Sequence, residues 1–205
     1  MNIIEPSVEI IEDVNQQAIL TKLEKCGRTA YKSEDRITEG SAEKFIRAII
    51  KSGHGSVLEH VHITVKFICD RGVTHELVRH RLAAYTQEST RYCNYSKRGM
   101  NVIRPYYWTE SDDSSKLSLW SNLMRESEKT YNRLIELGST PEEARAVLPN
   151  SLKSEIIATM DIREWRHVLN LRTKPDCHPQ IVQIMKMLLK EFKVKLPVLF
   201  GDIDG

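Results

Sequence analysis

The sequence predicts an α+β fold: an antiparallel or mixed sheet flanked by long helices, in a single domain spanning residues 1–205. Three observations carry this. One segment between Val61 and Cys69 alternates apolar and polar residues with a period of two. Several longer segments carry apolar residues at helical spacing. Strands and helices do not alternate regularly along the chain, as a parallel α/β fold would require. At 205 residues the chain fills one full-sized domain and is short for two.

The elements follow in order. From Asn15 to Cys26, Ile19, Leu20, Leu23 and Cys26 share one helical face, and a polar stretch from Lys32 to Gly40 follows. Ser41 or Gly40 caps a second helix, which buries Phe45, Ile46, Ile49 and Ile50 and stops at Gly53. In the strand that follows, Val61, Ile63, Val65, Phe67 and Cys69 alternate with His62, Thr64 and Lys66, so one face is buried. A short helix is expected from Val73 to about Ala84, and a strand from Asn101 to Tyr107, ended by polar residues. Ser114–Leu137 reads as a long amphipathic helix with Leu117, Trp120, Leu123, Met124, Tyr131 and Leu134 inward, closed by Gly138. Thr140-Pro141-Glu142-Glu143 is a helix start: a capping threonine, proline at the first helical position and glutamate at the third. Lys153–Met160 reads as a strand. Asp161 caps a helix to about Leu171, with Glu164 completing a capping box, and a last helix from Pro179 to Lys193 buries Ile181, Ile184, Leu188 and Phe192.

Composition narrows the function. Hydrophobic residues make up 40% and charged residues 28%, the balance of a folded globular chain rather than a disordered one. Thirty basic residues against twenty-eight acidic ones give a net charge of +2, which argues against a dedicated nucleic-acid binder. No stretch approaches the roughly 18 apolar residues of a membrane span, and the N-terminus lacks the pattern of a signal peptide. Four scattered cysteines without a CxxC pair suit a reducing compartment, so the expected location is the cytoplasm, with no membrane partner.

The densest chemistry lies in Arg79-His80-Arg81-Leu82-Ala83-Ala84-Tyr85-Thr86-Gln87-Glu88-Ser89-Thr90-Arg91-Tyr92. Arginine forks bind phosphate or carboxylate bidentately and keep their charge when desolvated. On a helix, Arg79 and Arg81 would point about 200° apart and serve different partners. Surface salt bridges, or a recognition helix on DNA, are the non-enzymatic readings of this segment.

The spacing carries a specific resemblance. Arg79-His80-Arg81, seven residues, Ser89, then Arg91 two positions later resembles the signature of flavin-dependent thymidylate synthases. The likeness extends through Gly53-His54-Gly55-Ser56, Glu59-His60, Arg145-Ala146-Val147-Leu148-Pro149 and Arg163 to Arg172, ending Leu169-Asn170-Leu171-Arg172, in the family's order over about residues 25 to 195. The resemblance implies reductive methylation of dUMP to dTMP, with methylenetetrahydrofolate as carbon donor, FAD as hydride carrier and NADPH as reductant. It implies a homotetramer with active sites shared between subunits, and a fold that is not a Rossmann fold, which agrees with the absence of GxGxxG.

By similarity, Ser56, Arg79, His80, Arg81, Gln87, Asp161, Arg163 and His167 contact the flavin. Glu76, Arg79, Gln87, Glu88, Ser89, Thr90, Arg91, Arg145 and Arg172 hold dUMP. The catalytic positions are Arg172, which stabilises charge on the N3–C4=O side of uracil, His54 near the flavin ring, and Ser89, a positioning group rather than a covalent nucleophile. A dianionic 5′-phosphate suits Arg91 and the Ser89 hydroxyl. The chain departs from the commonest family pattern at Glu76 (glutamine), Thr86-Gln87 (Asn-Glu), Asp161 and His167 (asparagine), and an early serine near Ala30 is missing.

The expected metal content is none. The competing reading is a metallohydrolase: His60 and His62, two apart on a strand, would face one side and ligate zinc with His54 or His75, leaving Glu59 or Glu76 as base.

Overall fold

A computed structural model of the chain describes residues 1–108 and 114–205. In chain order its elements are β1 (Asn2–Ile4), β2 (Ser7–Ile10), α1 (Gln16–Thr29), α2 (Ser41–Lys51), β3 (His62–Asp70), α3 (Arg71–Leu77) and β4 (Ala84–Gln87). There follow α4 (Tyr95–Arg98), β5 (Asn101–Ile103), α5 (Ser114–Glu136), α6 (Pro141–Ala144), β6 (Lys153–Asp161), α7 (Ile162–Arg172), α8 (Pro179–Lys195) and α9 (Pro197–Phe200). Strands β2, β3, β6 and β4 hydrogen-bond in that order, and β1 pairs in parallel with β5. Strands β3 and β6 run antiparallel: Val61 O accepts from Ile162 N (3.0 Å), and Leu152 O accepts from Arg71 N (3.1 Å).

The chain divides into two compact units: Met1–Ser7, Phe67–Arg79 and Tyr85–Ile157 form the first, and Val8–Lys66, His80–Ala84 and Ala158–Gly205 the second. In the first, Tyr95, Met100, Val102, Trp120, Met124, Tyr131, Ala144 and Leu152 make the core. Trp120 Nε1 donates to Ser151 Oγ (3.0 Å), which lets a large ring be buried without stranding its N–H. In the second unit, α7 brings Trp165 against Phe192, and Phe192 stacks on Phe200 with centroids 4.4 Å apart. Trp165 Nε1 donates to Ile63 O (2.9 Å), fastening α7 to β3.

Both long strands run straight into helices, and an aspartate makes each junction. Asp70 Oδ1 accepts from Val73 N (2.9 Å) to start α3, and Asp161 Oδ1 accepts from Glu164 N (2.7 Å) to start α7. Each such cap is worth about 1 kcal/mol and fixes the direction of the first helical turn. The strand alternation and the Thr140 capping box stand as the sequence indicates. Gly40, with φ of 75°, occupies the cap position of α2, while the single Ser41 O–H has Glu24 Oε2 (2.8 Å) and Thr38 O (2.9 Å) as alternative acceptors.

Several elements differ from the sequence expectation. The helix starting near Val73 ends at Leu77, whose carbonyl accepts from Tyr85 Oη (2.7 Å), and the chain then passes through a turn at Val78–Arg79 and a bend at Leu82–Ala83 into β4. The strand at Asn101 stops at Ile103, and Tyr106–Trp108 form a turn of edge-packed rings. The polar residues expected to end it lie at 109–113, outside the described residues. Leu123 is 63% exposed rather than inward, and β1, β2 and β4 were not expected. At α7 the Asp161 half of the expected capping box is present, and the Glu164 carboxylate is turned toward His80. Among the described residues, no helix is long and apolar enough to cross a membrane.

Candidate active site

In the second unit, the junction at Asp161 places Arg163, Glu164 and His167 on the first turns of α7 and Arg172 at its end. His167 follows Arg163 by four positions and Glu164 by three, so it is the helical neighbour of both. His80, buried at 7% exposure, comes to this helix from the irregular segment between α3 and β4. Arg172 Nε donates to His80 Nε2 (3.0 Å), and Glu164 Oε1 lies 3.8 Å from His80 Nδ1. The His167 ring stands edge-on to the His80 ring at 6.1 Å. Burial first, then the Arg172 and His167 charges, hold His80 down to a pKa of about 4, so the imidazole is neutral at pH 7. Burial also raises Glu164, against the opposing pull of His167.

Glu59, Leu82, Asp161, Arg163, Glu164 and His167 line a cavity of about 520 Å³, within the size range of small-ligand sites. Arg163 Nη1 donates to Glu59 Oε1 (2.5 Å) at its rim. His54 and Ser56 lie exposed at the 3₁₀ turn that precedes β3, and His54 Nδ1 is 3.4 Å from Tyr31 Oη. Arg81 is exposed. A hollow of about 720 Å³ along α1, lined by Lys22, Lys25 and Cys26 among others, contains none of the expected site residues.

The first unit holds a second cluster. Gln87 Nε2 donates to Thr74 Oγ1 and Ser154 Oγ (both 3.0 Å), which ties its amide nitrogen to α3 and β6. Lys153 bridges Glu88 (2.9 Å) and Glu155 (2.5 Å), and Tyr95 Oη donates to Glu88 Oε1 (3.1 Å). Burial favours a neutral Lys153 amine, but its hydrogen bonds to the two carboxylates outweigh that and raise its pKa. Ser89 Oγ accepts from Arg91 N (3.3 Å), and Arg145 Nη1 donates to Thr90 Oγ1 (3.4 Å). Arg91 pairs with Glu142 at 2.8 Å, with both side chains about half exposed. Arg79 is exposed, and Glu76 is half-buried with its carbonyl accepting from Arg79 N (3.2 Å).

Within each unit the arrangement suits anions: Arg145 and Arg91 beside the Thr90 and Ser89 hydroxyls in the first, Arg163 and Arg172 with two imidazoles in the second. The residues expected to contact flavin lie mainly in the second unit and those expected to hold dUMP mainly in the first; Arg79 and Gln87 fall in the first, Arg172 in the second. The Arg79-His80-Arg81 segment is not helical, so the helical divergence of its arginines does not apply. Sequence reasoning gave Glu164 only a capping role and missed Lys153, Tyr95 and Glu142. The zinc reading is also redirected: among the described residues, the group whose ligand atoms converge is His80, Glu164 and His167, all within 4.8 Å, not His60 and His62.

The family model described as thymidylate synthase complementing protein matches residues 14–198. A flavin-dependent thymidylate synthase of Pyrococcus furiosus is 36% identical over 168 residues, covering 80% of this chain and 68% of that protein. One of Corynebacterium efficiens is 30% identical over 217 residues, covering 97% and 85%. Across four relatives from Pyrococcus and Thermococcus, the matched part spans 64% to 68% of their length. The crystal structure of a UMP/dUMP methylase from Streptomyces cacaoi, bound with 5-Br dUMP, matches this fold with a TM-score of 0.83 at 25% identity, covering 98% of this chain and 96% of that one.

Proposed function

This chain belongs to the flavin-dependent thymidylate synthase family, and on that premise we propose that it methylates dUMP to dTMP with a bound flavin. The flavin is FAD, NADPH is the reductant, and methylenetetrahydrofolate supplies the carbon. The enzyme works in the cytoplasm as a homotetramer whose active sites are shared between subunits.

The donor set suits a flavin. Arg163 and His167 line the cavity beside α7, and a β-carbon at Gly55 would come within 2.9 Å of Arg163 Nε, so this turn must be bare for the arginine to lie across it. Ser56, Arg79, His80, Arg81, Gln87, Asp161, Arg163 and His167 are the residues proposed to hold the cofactor. Asp161 acts through the α7 cap it makes. The flavin supplies the hydride chemistry, and the protein binds and orients.

The remaining roles belong to side chains. Arg91 and the Ser89 hydroxyl take the 5′-phosphate, with Thr90 and Arg145 beside them, and Glu142 must yield Arg91 when a phosphate arrives. Arg172 stabilises negative charge on the uracil C4 oxygen as carbon 5 becomes nucleophilic. Glu76, Arg79, Gln87 and Glu88 complete the nucleotide set, and His54 serves near the flavin ring.

The observation that carries the reading is the 3.0 Å contact between Arg172 and His80. It joins the last arginine of the Leu-Asn-Leu-Arg block to the histidine of the Arg-His-Arg block. The test is the visible absorption spectrum of the purified protein before and after adding FAD and desalting, then dTMP formation with NADPH and methylenetetrahydrofolate. Retained flavin, a shift on adding dUMP and dTMP formation support the proposal. A protein that retains no flavin and ignores dUMP overturns it.

A further inference from the structure

A buried ion pair is often no more stabilising than apolar side chains of the same volume, so its presence points to a role other than stability. The first unit holds such a pair: the Lys153 side chain is 14% exposed and that of Glu88 16%. Glu88 sits where the chain leaves the sheet. Its N–H donates to Glu155 O on β6 (2.8 Å), and the next residue, Ser89, begins a turn. Ser89 O accepts from Tyr92 N (3.2 Å) and Cys93 N (3.0 Å), and Ser89 Oγ accepts from Arg91 N (3.3 Å). The Glu88 carboxylate is held on both oxygens. Lys153 Nζ donates to Oε2 from β6 (2.9 Å), and Tyr95 Oη donates to Oε1 from the start of α4 (3.1 Å). The phenol thus reaches back across seven residues and ties the far end of the turn to its near end. Burial first, then the Glu88 charge, keep that phenol protonated and therefore a donor.

We propose that Tyr95 is a positioning residue for the nucleotide 5′-phosphate: with Lys153 it holds the Glu88 carboxylate, and so keeps the Ser89–Arg91 turn in the shape that receives the anion. Glu88 then serves the nucleotide set by fixing the segment that follows it. The turn has other supports. Arg145 Nη1 reaches Thr90 Oγ1 (3.4 Å), and the bonds inside the turn persist without the phenol. Loss of the phenol oxygen therefore loosens the segment rather than releasing it. The rest of Tyr95 is anchored independently: the residue is 7% exposed, its ring stands edge-on to Tyr131 at 5.8 Å, and its N–H donates to Tyr131 Oη (3.4 Å). Tyr95→Phe removes one hydrogen bond and keeps this packing. A loosened turn must be ordered anew whenever a phosphate binds, and that lost freedom weakens the nucleotide. The flavin, whose proposed contacts lie mainly in the second unit, is spared.

This inference rests on the reading of Ser89 and Arg91 as phosphate ligands, and the experiment separates the two. Hydrogen exchange followed by mass spectrometry reads the turn directly; dUMP titration and steady-state kinetics read the site. Tyr95→Phe is expected to speed exchange in the peptide covering residues 89–94, where the Tyr92 and Cys93 amides are bonded. It should raise both the Kd and the KM for dUMP about tenfold, the low end of what one hydrogen bond to a charged group is worth. The kcat and the flavin content should stay within about twofold of wild type. Added to Arg91→Ala, the same change should weaken dUMP by less than about threefold, because the turn then has no guanidinium left to aim. A phenol that serves stability alone would lower the melting temperature and leave the KM unmoved, which overturns the proposal. So does unchanged exchange, an equal loss of dUMP and flavin, or the full loss of dUMP affinity repeated on top of Arg91→Ala. Should exchange rise as expected in a protein whose wild type binds no dUMP, the turn is held as described and its assignment to a phosphate fails.

Discussion

Replacing Gly55 by alanine separates cofactor binding from stability. A β-carbon built there meets Arg163 at 2.9 Å from Nε, 3.0 Å from Cδ and 3.3 Å from Cζ. No backbone atom blocks it, so the flexible arginine moves. Arg163 is largely exposed, and the ion pair it forfeits with Glu59 contributes about 0.2–1 kcal/mol. Against that, alanine restricts the unfolded chain and returns about 0.4–1 kcal/mol. The melting temperature should therefore hardly change. Flavin affinity should fall, because a displaced guanidinium forfeits a charge-assisted hydrogen bond worth about 1.5–3 kcal/mol, roughly tenfold to a hundredfold in Kd. Fluorescence titration of FAD into the flavin-free protein measures this, with a thermal melt on the same sample. Unchanged flavin affinity beside an unchanged melt would refute the role of Arg163; a collapsed melt would refute the packing argument.

Three further outcomes are expected. Arg91→Ala should weaken dUMP at least tenfold while leaving FAD affinity within about twofold, because the side chain serves a phosphate; equal losses in the two titrations count against it. Asp161→Ala should cost about 1 kcal/mol in urea denaturation, with Asp161→Asn recovering most of it, since both aspartate and asparagine cap Glu164 N. His80 makes stability pH-dependent: the unfolded chain protonates it near pH 6.5 and the folded one near pH 4, so stability is full above 6.5 and falls between those values. The contribution is at most about 3 kcal/mol. Urea midpoints at pH 7 and 4.5 should converge in His80→Gln, and an identical decline in the variant would exclude this source.

What could be read from the chain was what repeats locally. The alternation from Val61 to Cys69 spans nine residues, and β3 follows it closely because one buried face fixes the register. Thr140-Pro141-Glu142-Glu143 writes a reciprocal cap in four letters. By contrast, β1, β2 and β4 have three or four residues each, too few for a period to appear. The segment after Leu77 looked helical because nothing in Val78 to Ala84 forbids a helix; what ends it is the phenol of Tyr85 reaching back to a carbonyl. The same limit governs the site. Arg172 and His80 are 92 residues apart in sequence, and no local pattern announces such a pair. The family spacing identified both members without their contact, and although the matching run from Arg163 to Arg172 contains Glu164, the resemblance assigned it no role.

The chain passes between its two units five times, and β3 and β6 are each divided between them. No single cut can therefore release either unit as a contiguous piece, and a break after Ile157 would leave β6 in halves. Gene fission, fusion of one unit to another protein, or shuffling of one unit without its fellow are closed routes for this architecture. Change must come through substitutions within the frame or insertions at its loops. A chain woven this way also defers many of its contacts until distant segments meet, so its refolding should be slow compared with a helical bundle of equal length.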